Sequence, residues 1–401
     1  MTRMETNTKR FLGATGQALF SLLFNFTGLF AGGLVASSLG LFDKIPWALV
    51  IYPGILSIRG AIGGLYSGRL STALHLGTIK PRLFGNTDEA YVLFNTVNTL
   101  TLISALLMGS FGSLVGVIVT GTSFNEFYII LSVIVASMGL SILAISPLTF
   151  WVSVVSYKKG LDPDVLVYPV VSTVADLIIT ALYIGVLYLV MLTPDSSLLI
   201  LNIINVIFIC VVLFTVRRIY KNREFINTVK EFMLTLVIVT VIVNITGTAL
   251  NRITETIGRR PEVYMIYPAL IDTVGDVGSI IGSTATTKMA LGVMATEFRA
   301  ITTHWVEIAS AWVASLIMFV LYTLTSGIVY GIWRFPGLLG EAITTNLIVV
   351  PFIIGISFST AIITRRRGLD PDNFIIPIET SISDGLTTIG LLVAITLILS
   401  L

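Results

Sequence analysis

Asp176 and Asp384 are the residues of this chain whose type and setting most clearly imply chemistry. Each lies in an apolar run behind a proline (Pro169, Pro377) and a hydroxyl pair (Ser172 and Thr173; Thr380 and Ser381), and each run opens on Gly-Leu-Asp-Pro-Asp, at 160–164 and again at 368–372. Asp272 and Asp276 stand one helical turn apart in another apolar run, on one face, and Glu379 is a further acid. An aspartate at the centre of a bilayer costs about 2.5–3.5 kcal/mol on insertion scales. Repeating it in one context argues for a site that the architecture is built around. Arg59 is the basic residue within an apolar run. It can neutralise one acid as a buried ion pair, and the remaining negative charge then needs protons or a metal cation. Carboxylates with threonine hydroxyls (Thr173, Thr380) and no nearby thiolate or imidazole suit hard ions such as magnesium, calcium or manganese rather than zinc or copper.

The elements that hold these acids must lie in lipid. Of 401 residues 55% are hydrophobic and 11% charged, far from the roughly one quarter charged of soluble domains. This is the composition of an all-α polytopic membrane protein, with the bilayer as its solvent. A single cysteine, Cys210, excludes an internal disulfide and multi-cysteine metal centres, and a net charge of +2 gives no case for nucleic acid. No prosthetic group is expected. Apolar runs predict eleven spanning helices near 15–40, 46–68, 90–121, 126–157, 164–193, 197–216, 226–251, 263–287, 300–330, 342–364 and 372–400. The first follows Lys9 and Arg10 as a signal peptide would, but its length and the lack of a cleavage signal read as a retained helix.

With the N-terminus in the cytoplasm, most lysines and arginines, including Lys158, Lys159, Arg217, Arg218 and 365–367, fall on the inner side. The C-terminus then faces outward, and the cell membrane is the expected location. A second repeat, Ile-Tyr-Pro at 51–53 and 266–268, continues through Gly60 and Gly63, or Gly275 and Gly278, to Leu-Gly at 76–77 and 291–292. Two copies of a five-helix unit are therefore expected, at 15–193 and 225–401, after a cytoplasmic tail at 1–14 and joined by a linking helix and loop at 194–224. Five helices reverse the chain's side and the linking helix restores it, which predicts parallel copies and a pseudo-twofold along the membrane normal. One chain could then work as a monomer. Asp176 lies thirteen residues past Pro163, about 20 Å along a helix and so near mid-membrane. Asp384 shares that depth and Asp276 reaches it from the other side, with Glu379 about 8 Å nearer the cytoplasm.

Other features read as readily without chemistry. Asp162, Asp164, Asp370 and Asp372 are helix-start acids favoured by the dipole. Pro53, Pro268, Pro169 and Pro377 bend helices as well as freeing carbonyls. His304 and Glu307, at i and i+3, are two ligands of a weak metal signal.

Taken together, the two stretches from Gly160 to Asp176 and from Gly368 to Asp384 resemble the last transmembrane helix of the MgtE and solute carrier family 41 magnesium transporters. The run from Tyr52 to Gly77, with Gly68-Arg69-Leu70-Ser71-Thr72-Ala73, is similar to the second-helix motif of the eukaryotic carriers. The resemblance implies that Asp176 and Asp384 line an ion path, and that the two copies stand in for a parallel dimer of five-helix units. The chain departs in two ways: its short N-terminal tail has no room for the cytoplasmic sensor domains of bacterial MgtE, and Ser57 and Ala61 stand where the second copy has Asp272 and Asp276.

The function expected is transport of a divalent cation, Mg2+ or with it Mn2+ or Co2+, through a mid-membrane carboxylate site between the repeats formed by Asp176, Asp384, Asp276, Asp272, Glu379, Thr173 and Thr380. A proton- or sodium-coupled exchanger is the alternative, because membrane acids also relay protons. An intramembrane aspartyl protease is disfavoured: Thr273-Val274-Gly275 before Asp276 lacks the Gly-x-Gly-Asp pattern, and three mid-depth acids exceed a dyad.

Overall fold

Among the described residues ten helices are long and apolar enough to cross a membrane by length and composition. The computed structural model describes residues 3–120, 126–159, 163–257, 260–367 and 371–399, and among these every regular element is helical. In order they are α1 (Arg3–Leu22), α2 (Gly28–Ser37), α3 (Leu39–Phe42), α4 (Pro46–Leu76), α5 (Asp88–Thr120), α6 (Phe127–Lys158) and α7 (Pro163–Leu192). Then follow α8 (Pro194–Ile219), α9 (Arg223–Ile257), α10 (Pro261–Ala290), α11 (Trp305–Tyr330), α12 (Phe335–Arg366) and α13 (Pro371–Leu399). The expected eleventh span is α10. It has the length, but its aspartates, glycines and hydroxyls dilute the apolar character.

Local sequence explains the boundaries. Pro46, Pro194 and Pro261 sit in the first turns of α4, α8 and α10, where the missing N–H costs nothing and φ is already helical. Gly77 and Gly292 take positive φ, 73° and 70°, and end the equivalent helices of the two repeats in the same way. Thr78 N–H donates to the Ala73 carbonyl at 3.0 Å and Val293 N–H to that of Lys288 at 2.9 Å, the long closing bond of a Schellman-type stop. The first span, expected as one helix, is broken. A 3-10 turn at Leu23–Thr27 separates α1 from α2, with the Thr27 hydroxyl donating to the Phe24 carbonyl at 3.0 Å and Asn25 buried. Such tight turns inside helices often mark functional positions.

The helices form two compact units, Ser37–Thr248 and Met1–Ala36 with Ala249–Leu401. In the first, α4 is buried along most of its length and packs on α5, α6 and α7, while α6 also packs on α7 and α8. α8, which has no repeat counterpart, leaves Leu199, Ile203, Val206, Leu213 and Phe214 exposed, the surface expected of a helix that faces lipid. In the second unit α10 takes the place of α4 and packs on α11, α12 and α13, with α1 on α11 and α12 on α13.

Repeats and compact units divide the chain differently, because each unit contains the opening helix of the other repeat. In one unit a Cβ on Gly32 of α2 would fall 2.1 Å from the Met265 carbonyl oxygen of α10. In the other a Cβ on Gly247 of α9 would fall 1.8 Å from the Val50 carbonyl oxygen of α4. Gly32 and Gly247 are repeat equivalents, as are Val50 and Met265, at the same offset as Tyr52 and Tyr267. A second pair obeys the same relation, Gly28 on Ala269 and Val243 on Gly54. Glycine lets the two backbones touch, as small residues do between membrane helices.

Candidate functional site

In the unit formed by Met1–Ala36 and Ala249–Leu401, the site is built on α10 and α13. Asp272 and Asp276 lie one turn apart on α10, both half-buried, and Asp384 is buried on α13. The two helices approach closely, since a Cβ on Gly275 would stand 3.1 Å from the Ser383 hydroxyl. A tyrosine bridges them: Tyr267 Oη is 2.8 Å from Thr388 Oγ1. Thr388 already donates its proton to the Asp384 carbonyl at 2.7 Å, so Tyr267 is the donor of the bridge. Asn25, from the 3-10 turn, donates through Nδ2 to Asp276 Oδ2 at 2.8 Å and reaches Thr273 Oγ1 at 3.5 Å. Thr273 in turn meets the Tyr322 hydroxyl of α11 at 2.8 Å. Asn25, Thr273 and Tyr322 are all buried. Between Arg260 and Lys288 helix α10 has no basic residue, and α13 has none at all.

The unit Ser37–Thr248 repeats this frame with different charges. Tyr52 Oη lies 3.0 Å from Thr180 Oγ1, the same bridge as Tyr267 to Thr388 by repeat position, so Asp176 of α7 and Asp384 of α13 occupy equivalent places in their units. Here Arg59 of α4, at the position of Val274, forms an ion pair with Asp176 and also reaches the Ser172 hydroxyl at 3.5 Å. Both partners are buried, Arg59 at 7% exposure and Asp176 at 2%. Removing one member of such a pair typically costs about 3–5 kcal/mol, because the other charge is stranded. Against Arg59 lies a cavity of about 20 Å³, lined also by Tyr66, Thr101, Ser141, Ser146 and Thr149, roughly the room of one water. Among the described residues Arg59 Nε, Tyr66 Oη and Ser146 Oγ have no hydrogen-bond partner.

The expected site residues therefore fall into two groups. Asp272, Asp276, Asp384 and Thr380 lie on the paired helices α10 and α13, whereas Asp176 and Thr173 lie on α7, with Thr173 Oγ1 donating to the Val170 carbonyl at 3.4 Å. The side chains of Glu379, Asp164, Asp372, Pro169 and Pro377, and residues Asp162 and Asp370 entirely, lie outside the described residues. No three described His, Cys, Asp or Glu side chains converge as a ready-made metal cage. His304 and Glu307 hold a lysine instead: Lys288 Nζ is 2.6 Å from Glu307 Oε1 and 3.2 Å from His304 Nδ1, and Arg10 adds a second cation to Glu307 at 2.9 Å.

Asn25, Tyr267, Tyr322 and Thr388 were not among the expected site residues. Tyr267 and Thr388 carried a signal, since each has a repeat equivalent of the same type. Asn25 carried none, because its equivalent Thr240 faces no acid at Ala61.

No solved structure matches this chain. A family model described as a divalent cation transporter, MgtE, matches twice, at residues 52–186 and 267–394. Each match begins at the bridging tyrosine of its repeat and runs past the bridging threonine, covering both helix aspartates. Members of that family are transporters rather than enzymes. With well over half of its length matched in tandem, this membrane-embedded chain belongs to the MgtE family of divalent cation transporters.

Proposed function

We propose that the chain carries Mg2+ across the cell membrane, with Asp384, Asp276 and Asp272 as the carboxylates that the ion meets and Thr380 beside them. The observation that carries this reading is the concentration of acid on α10 and α13 within a frame that the Tyr267–Thr388 bridge holds together. Magnesium gives up its waters reluctantly and is usually held by one or two carboxylates through a retained shell. Acids spread over two helices, with no three of them drawn into a cage, suit a hydrated ion better than a stripped one. Mn2+ and Co2+ of similar size would share the route, and Ca2+, which prefers more direct oxygen ligands, would compete poorly.

The N-terminus is placed in the cytoplasm and the C-terminus outside, as the basic residues favour, and a single chain supplies both repeats. Asp176 belongs to the same repeated position but is charge-compensated by Arg59. Its role is accordingly indirect, and Thr173 goes with it. Glu379 would offer the ion a first carboxylate nearer the cytoplasm.

The test is Mg2+ flux into liposomes containing the purified chain, with and without an imposed proton or sodium gradient. Asp384→Asn and Asp276→Asn are each expected to lower flux by tenfold or more in protein that remains folded, since the amide keeps an oxygen that accepts from the neighbouring donors while a charge that is costly in the membrane interior is removed. Wild-type flux in both variants would remove the site. Flux that requires either gradient would instead favour the coupled exchanger.

A further inference from the structure

Helix α8 lies between the two family matches, at 52–186 and 267–394, and its end carries charge that the fold leaves uncompensated. Arg217 and Arg218 close α8, Lys221 follows in the turn, and Arg223 opens α9. All four are exposed, and among the described residues none of them pairs with a carboxylate. The next acid along the chain, Glu224, faces Arg69 at 3.8 Å, and Arg69 also donates to the Thr228 hydroxyl at 2.5 Å.

The turn that presents these cations is well built. Asn222 Oδ1 accepts the N–H groups of Glu224 and Phe225 at 2.9 and 3.2 Å, capping α9, and Ile219 and Phe225 are buried in one cluster with Val92 of α5. Two of the cations lie over exposed rings, Arg218 over Phe214 at 4.5 Å and Lys221 over Tyr220 at 5.5 Å. The 26 residues of α8 extend about 39 Å, beyond the roughly 30 Å of a hydrocarbon core, so its last turn stands at headgroup level. Along the helix Ile207, Val211, Phe214 and Arg218 succeed one another at spacings of three or four residues, all of them exposed, which places them on one face. An apolar stripe at lipid depth therefore runs directly into the cations, on the side where the basic residues place the cytoplasm.

We propose that the α8–α9 turn is a seat for an anionic phospholipid of the cytoplasmic leaflet, with the headgroup phosphate held by Arg217, Arg218, Lys221 and Arg223 and an acyl chain laid along the exposed face of α8. Guanidinium groups match phosphate oxygens in pairs, and a cluster of four cations directly beyond a membrane helix attracts anionic headgroups. The stripe selects a lipid over a soluble anion, because it offers apolar contact that free phosphate cannot use. It also lies at a depth that a soluble acidic protein does not reach. Since α8 has no repeat counterpart, the seat occurs once per chain.

The experiment follows the thermal midpoint of the full-length chain in neutral detergent against added phosphatidylglycerol, phosphatidylcholine or inorganic phosphate. Three proteins are compared: wild type, the triple variant Arg217→Gln, Arg218→Gln and Lys221→Gln, and a control that loses the same charge elsewhere in the unit, Arg82→Gln, Lys158→Gln and Lys159→Gln. Phosphatidylglycerol is expected to raise the midpoint saturably in wild type and control, whereas the triple variant, with an unchanged midpoint before lipid is added, needs about tenfold more of it. Phosphatidylcholine and inorganic phosphate are expected to produce no such rise. A triple variant that responds like wild type would overturn the proposal, and so would a control that loses the response equally, since the effect would then be one of overall charge. An equal response to phosphatidylcholine would remove the headgroup contact, and an equal response to inorganic phosphate would remove the lipid. Size exclusion of the same samples covers the remaining occupant: wild-type dimers that separate in the triple variant would assign the face to a second copy of the chain and overturn the lipid seat.

Discussion

At the scale of single residues, the acids and their neutral partners carry the argument. Asp176, Asp384, Asp272 and Asp276 were legible in the sequence because a carboxylate in an apolar run has to be explained. Asn25 was not, because a lone asparagine in a first helix carries no such cost and its partner Asp276 lies far along the chain. Yet the Asn25 amide meets that carboxylate at 2.8 Å with the amide side buried, and hydrogen bonds to charged groups contribute about 1.5–3 kcal/mol. Asn25→Ala is expected to destabilise the protein by about that much and to weaken Mg2+ transport, since Asp276 loses the donor that orients it. Thermal unfolding in detergent and liposome flux check this, and a variant unchanged in both would make the contact incidental. Arg59 was legible as a candidate for one buried pair, but which aspartate it takes depends on packing that spacing alone does not specify.

At the scale of elements, equivalent helices perform different electrostatic tasks. Helix α4 brings a cation to the aspartate of α7, whereas α10, packed on α13, carries two further acids of its own. Their starts at Pro46 and Pro261 were readable to within two residues, whereas the expected ends at 68 and 287 fall short of Leu76 and Ala290, where Gly77 and Gly292 stop the helices. The break in the first span was not readable, since apolar composition alone does not distinguish an α-helix from one interrupted by a 3-10 turn. Contacts between helices were hidden as well, although Gly32 and Gly247 fall at equivalent repeat positions. Replacing either with leucine should abolish well-folded protein, because the new Cβ would overlap a backbone carbonyl that cannot move aside. Gly33→Ala is the control, with nothing within 4 Å of its added Cβ. Size-exclusion profiles of the three variants decide it, and monodisperse Gly32→Leu or Gly247→Leu protein would contradict the close approach.

At the scale of the whole molecule, tandem duplication was legible from Ile-Tyr-Pro and Gly-Leu-Asp-Pro-Asp, and the doubled family match agrees with it. The exchange of opening helices was not, because a repeat records similarity between segments and says nothing of which segments touch. Orientation makes a prediction here. Single cysteines at Lys159 and Arg367, in a chain whose exposed Cys210 is replaced by serine, should both react with an impermeant thiol reagent applied from the cytoplasmic face. Labelling from opposite faces would refute parallel repeats. The exchanged helices also bear on how the protein is made. Synthesis runs from the N-terminus, so α2 and the turn that carries Asn25 leave the ribosome long before Met265, Ala269 and Asp276 exist. During that interval they have only lipid or provisional neighbours. Helix α9 emerges when α4 is already complete and can dock at once. Contacts that mirror each other in the finished protein are thus acquired in opposite order, and the early helix is the one exposed to misassembly and to membrane quality control.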